Sequence, residues 1–91
     1  MSWFSRVFGS GFTVSVVTNI QDAQPNFIYR ERKRKMRITG ETMADGYAVY
    51  SASIKHWEGQ PDVLVDETER QRIASNVQQY LASKGKSVYL S

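Results

Sequence analysis

The chain has no cysteine, which removes disulfides, thiolate zinc sites and cysteine nucleophiles together and fits a reducing cytoplasm. A single histidine, His56, excludes a multi-histidine metal centre. No apolar run is long enough to span a membrane, and the segment from Met1 to Gly9 lacks the charged start and apolar centre of a secretory signal. The glycines form no phosphate-binding signature, because Gly9-Ser10-Gly11 precedes a strand pattern rather than a helix. Asp62, Asp66, Glu67 and Glu69 lack the spacing of a calcium loop. His56 beside Ser51 or Ser53 has neither a nucleophile elbow nor an orienting carboxylate, so an ordinary exposed or hydrogen-bonded histidine is the simpler reading. These exclusions leave binding, with no cofactor, no metal and no catalytic residues.

What the chain does have is a concentrated positive charge. The eight residues from Arg30 to Arg37 carry six cations and one anion, a local +5 within a formal total of +3, which leaves the other 83 residues at −2. Phe27-Ile28-Tyr29 before the block and Ile38-Thr39 after it place the charge on a folded element rather than a solvated tail. At 91 residues the chain makes one domain, which at that size buries about 60–65% of the surface its unfolded form would expose.

Hydrophobic periodicity lays out the elements. Trp3, Phe4, Val7 and Phe8 lie at helical spacing and predict an N-terminal aromatic flap over residues 1–11, ahead of a sheet-and-helix body at 12–91. Phe12, Val14 and Val16 alternate with Thr13, Ser15 and Val17 as in a half-buried strand. Residues 19–26 carry turn chemistry. Residues 27–39 are too long for one strand and lack a central apolar residue, so they read as a hairpin joined across Arg32 to Arg34. Met36 and Ile38 point inward from one arm, and Tyr29 with Phe27, or Ile28, from the other.

Asp45-Gly46 is a turn signal before a further strand, in which Tyr47, Val49 and Ser51 alternate with Ala48, Tyr50 and Ala52. Apolar residues on both of its faces predict a central position. Asp66 and Glu69 have the spacing of a capping box, and Ile73, Val77, Tyr80 and Leu81 share one face of a helix over about 67–84 that stops before Gly85. Residues 87–90 form a last short strand. The fold class is therefore α+β, a largely antiparallel sheet of about five strands in the order β-β-β-β-α-β, with one helix packed on one face.

Candidate partner-binding residues are Arg30, Arg32, Lys33, Arg34 and Lys35 on the hairpin and His56, Trp57 and Glu58 beyond the fourth strand. Nucleic acid would be drawn to the hairpin by counterion release, with Phe27, Tyr29 and Trp57 available to stack on bases. A protein partner would use the same charges for steering. A third reading takes the cations as a solvated edge that discourages sheet-to-sheet aggregation. Trp57 is either a core plug at the base of the loop or an exposed interface anchor. The loop and helix start from Glu58 to Glu69 hold five carboxylates and no cation. A free sheet edge leaves a homodimer open.

Tyr47-Ala-Val-Tyr50, Ser51-Ala-Ser-Ile54, Lys55-His-Trp57-Glu58 and Pro61, followed by Asp66-Glu-Thr-Glu-Arg-Gln-Arg-Ile73 and Asn76, resemble a family of small immunity proteins of bacterial polymorphic-toxin systems. Arg37-Ile-Thr-Gly40-Glu41 resembles that family's Gly-Glu step between strands. The likeness runs over residues 27 to 90. It departs from the family in the short Gly59-Gln60-Pro61 step and in the Arg/Lys-rich hairpin turn. The resemblance implies a cytoplasmic protein that neutralises a cognate toxin by stoichiometric binding, with no cofactor and no reaction of its own.

Overall fold

The computed structural model describes residues 11–18 and 24–91. The aromatic flap residues Trp3, Phe4, Val7 and Phe8 and the turn residues 19–23 lie outside them. β1 (Phe12–Thr18), β2 (Pro25–Glu31), β3 (Arg34–Thr42) and β4 (Gly46–Val49) form an antiparallel meander. Helix α1 (Glu67–Ser83) then crosses one face, and β5 (Ser87–Leu90) joins parallel to β4, giving a five-stranded sheet in chain order. β4 is central, as its two-sided apolar pattern predicts.

The covered face of the sheet carries Val14, Phe27, Tyr29, Met36, Ile38 and Val49, which pack against Ile73, Ala74, Val77 and Leu81 of α1. Phe27 and Tyr29, rather than Ile28, face inward: both are fully buried and Ile28 is only half-buried. The hairpin loop is the pair Arg32-Lys33, closed by the Glu31↔Arg34 pair.

The helix is bounded by local chemistry. The Asp66 carboxylate accepts the Glu69 N–H at 2.8 Å, half of the expected capping box. At the other end Lys86 N–H donates to Leu81 O and Gly85 N–H to Ala82 O, a Schellman motif whose left-handed position is Gly85 at φ +84°.

The fourth strand stops earlier than its alternation predicts. Ser51–Ser53 form a 3₁₀ turn instead, because serine hydroxyls there compete with the ladder for backbone groups. Ser53 Oγ donates to Tyr50 O at 2.6 Å and accepts Thr39 N–H at 2.9 Å, while Ser51 Oγ donates to Ser91 O at 2.6 Å. The turn frees the chain to run beside β3, where Glu58 N–H donates to Lys35 O at 2.8 Å. The segment from Ile54 to Glu58 is thereby carried to the end of the sheet where the hairpin turns.

Candidate functional site

Three elements meet at that end: the hairpin tip, the loop after Trp57 and the start of α1. A polar network braces them. Arg72 of α1 donates to both carboxylate oxygens of Glu31, at 2.8 and 3.0 Å, and lies 3.5 Å from Glu69. Asn76 donates to the buried Tyr29 hydroxyl at 2.9 Å, and that hydroxyl donates to Glu31 at 3.3 Å. Glu69 accepts the Trp57 indole N–H at 3.1 Å, which explains why its carboxylate does not turn back to complete the capping box.

Burial pushes the Glu31 carboxyl up, but the hydrogen bonds and charge of Arg72 outweigh it and hold the group below its ordinary range. A carboxylate depressed in the folded state stabilises the fold above its unfolded value, about 4.3, and loses that contribution as pH falls through the folded value. Arg72→Met is therefore expected to cost about 1 kcal/mol at neutral pH, an amount kept small by the exposure of the guanidinium. The wild-type and variant stability curves should converge in acid, as read by urea unfolding from pH 7 to 3; parallel curves would contradict the assignment.

Trp57 is the plug. It is 3% exposed, its ring centre lies 6.0 Å from that of Tyr29, and the Arg34 guanidinium sits 4.0 Å above its face. Phe27, Tyr29 and Trp57 are therefore buried in the core and cannot stack on bases, which removes the aromatic half of the nucleic-acid reading. His56 is half-buried, with its Nδ1 3.4 Å from Trp57 O. It shares a depression of about 330 Å³ with Arg37, Ser53, Lys55 and Glu58. Because Ser51 and Ser53 spend their hydroxyls on backbone carbonyls, the serine–histidine pairing has no activated nucleophile.

The remaining candidates gather on the surface. Arg30, Arg32, Lys33, Arg34, Lys35 and Glu58 line an adjoining depression of about 310 Å³, with Glu58 on the boundary of both. Lys35 and Glu58 form an exposed ion pair at 3.5 Å. Strand parity explains the rest: Arg30, Lys35 and Arg37 project from the face of the sheet opposite the helix, with Arg30 directly across from Lys35. Among the described residues no anion pairs with Arg30, Arg32, Lys33, Arg37 or Lys55. Like charges in directly opposed positions oppose folding. Arg30→Glu should therefore raise stability by about 0.5–1 kcal/mol, read as a higher calorimetric midpoint; an unchanged or lower midpoint would contradict a net repulsion between Arg30 and Lys35.

The carboxylates are in the opposite condition. Glu67 pairs with Arg70, Asp66 caps α1, Glu69 serves Trp57 and Arg72, and Glu58 meets Lys35. Arg37 belongs to the basic block, but its place on the open face depends on register, and the place of Lys55 beside the hairpin depends on the 3₁₀ turn, so neither stands among the candidate partner-binding residues of the sequence. Val63 and Leu64 also stand outside the sequence candidates; they are 57% and 72% exposed on a loop pinned by Val65 N–H to Lys55 O at 2.8 Å. Two adjacent exposed aliphatics between Asp62 and Asp66 were the available signal.

Among the described residues, no helix is long and apolar enough to cross a membrane. The family model described as Immunity protein 74 matches residues 25–91, from the start of β2 to the last residue of the chain. No curated protein and no solved structure matches. The matched span holds the hairpin, the Trp57 plug, the capped helix and β5, and with most of the chain inside it the protein belongs to the Immunity protein 74 family.

Proposed function

We propose that this immunity protein neutralises a cognate toxin of a bacterial polymorphic-toxin system by binding it stoichiometrically in the cytoplasm, with the cationic hairpin face against an acidic surface of the toxin. The observation that carries the reading is Arg30, directly opposed to Lys35 and with no anion of its own among the described residues, extended by the equally unpaired Arg37 along the same face. A cluster that weakens the fold and has a single exposed ion pair, Lys35 with Glu58, to offset it is an expected cost of recognition. The hairpin is favoured over the acidic segment because most of that segment's carboxylates already have partners inside the molecule. Bracing through Arg72, Glu31, Glu69 and Trp57 holds the surface in place before the partner arrives, which lowers the ordering cost of association. Val63 and Leu64 add apolar contact area at the same end.

The test is capture of the tagged protein's partners from nuclease-treated lysate, together with growth of cells producing the neighbouring toxin. One protein encoded beside this gene should be retained in equimolar amount, and co-production should restore growth. A captured signal that disappears with nuclease treatment would contradict the reading and favour nucleic acid.

A further inference from the structure

The two edges of the sheet are built differently. β5 is only four residues long, and the Gln78 amide donates to its Val88 carbonyl at 3.4 Å. Shortness and a side chain over the backbone are both protections against edge-to-edge pairing. β1 has neither. Its seven residues, Phe12–Thr18, include no charge, no proline and no glycine, and all but Phe12 and Ser15 are β-branched. β1 also precedes the residues that match the family model.

Hydrogen-bond parity identifies the groups this edge offers. Arg32 N–H donates to Gly11 O at 3.0 Å. In the register Thr13↔Arg30, Ser15↔Ile28, Val17↔Asn26, alternation of bonded and non-bonded pairs assigns the ladder to Thr13, Ser15 and Val17. The two-residue hairpin closed by Glu31↔Arg34 gives the same answer, because it commits Glu31, Tyr29 and Phe27 to β3 and the residues between them to β1. The N–H and C=O groups of Phe12, Val14, Val16 and Thr18 therefore point away from the sheet. Among the described residues, no strand lies on that side.

We infer that this edge pairs with β1 of a second copy, antiparallel about a two-fold axis through Ser15. In that register Phe12 opposes Thr18 and Val14 opposes Val16, so every outward N–H and C=O of both strands finds a partner. A slip of one residue would set outward groups against inward ones and put core-side residues opposite solvent-side ones. A slip of two would leave one end of each strand unpaired. Directly opposed residues share a face, so Val14 and Val16 of the two copies meet beneath the helices and cover the half-buried Phe12 and Val16. On the other face Val17, 52% exposed, meets Thr13.

The charge does not forbid the pairing. Among the described residues the nearest open-face cation is Arg30 on β2, and the two Arg30 columns are separated by three strand spacings, about 14 Å, beyond the screening length at physiological salt. Both cationic faces lie on the same side of the doubled sheet, which presents them together to an acidic partner.

Light scattering of the full-length chain on a sizing column, at about 100 µM, should give twice the 10.4 kDa chain mass. Ser15→Lys sets two ammonium groups against each other at the axis, and Val16→Pro removes an outward N–H without touching the β2 ladder. Both variants should elute at the monomer mass with the wild-type circular dichroism spectrum, and should Ser15→Lys fail to fold, Val16→Pro carries the test. Amides of Val14 and Val16 should exchange slowly in the wild type and at least about tenfold faster in the folded variants. A monomeric wild type or a dimer that survives both substitutions would overturn the inference. So would a monomer in which those amides are already protected, because the chain itself would then cover the edge.

Discussion

Trp57→Ala should cost about 3–5 kcal/mol and lower the melting temperature by more than about 15 °C. The indole is 3% exposed beneath Arg34 and beside Tyr29, so truncation opens a cavity where the hairpin, the loop and α1 converge. It also leaves Glu69, half-buried at the head of the helix, without the indole donor. Trp57→Phe separates the two effects by keeping most of the volume and removing only the N–H, at a cost nearer 1 kcal/mol. Thermal unfolding followed by circular dichroism reads both. A native melting temperature in Trp57→Ala would mean that the side chain is a surface anchor after all.

Gly40→Ala should be as damaging for a different reason. Gly40 pairs with Val49 on the covered side of β3, and a Cβ there would lie 2.0 Å from Ala48 O and 2.9 Å from Phe27 Cε2. The first obstacle is backbone in the neighbouring strand, so the β3–β4 ladder must open to admit a methyl group, at a cost of at least about 3 kcal/mol. Gly59→Ala is the matched control, because no atom lies within 4 Å of the added Cβ. Only its left-handed φ of +89° is penalised there, at about 1 kcal/mol. If chemical denaturation found equal losses at the two positions, the close strand approach at Gly40 would not be the cause.

Elements decided by local chemistry were legible from the residues alone. The helix was, because the Asp66 cap, the apolar stripe and Gly85 all act within a few residues of the positions they govern. The inward face of the hairpin was half-legible: alternation put Met36 and Ile38 on one side, but the choice between Ile28 and its neighbours rests on the register with β3. The early end of β4 was hidden, because Ser53 reaches back to Thr39, fourteen residues away. The parallel pairing of β5 was hidden too, since a four-residue strand carries no mark of direction.

The candidate site divides along the same line. The charge of the block from Arg30 to Arg37 is plain in the sequence, but its sorting is a property of the sheet. Parity places Arg30, Lys35 and Arg37 on the open face, while Arg34 turns to the other side and covers Trp57. Arg34 is thus part of the scaffold, and reversing its charge would confuse folding with binding.

The most direct test of recognition by the hairpin face is the association rate of the purified protein with the toxin recovered by capture, comparing wild type with Arg30→Glu/Arg37→Glu at low and high salt. Electrostatic steering predicts association at least about tenfold slower in the variant at low ionic strength, a gap that closes as salt screens the charges, and no loss of thermal stability. Equal association rates at low salt would contradict recognition through this face.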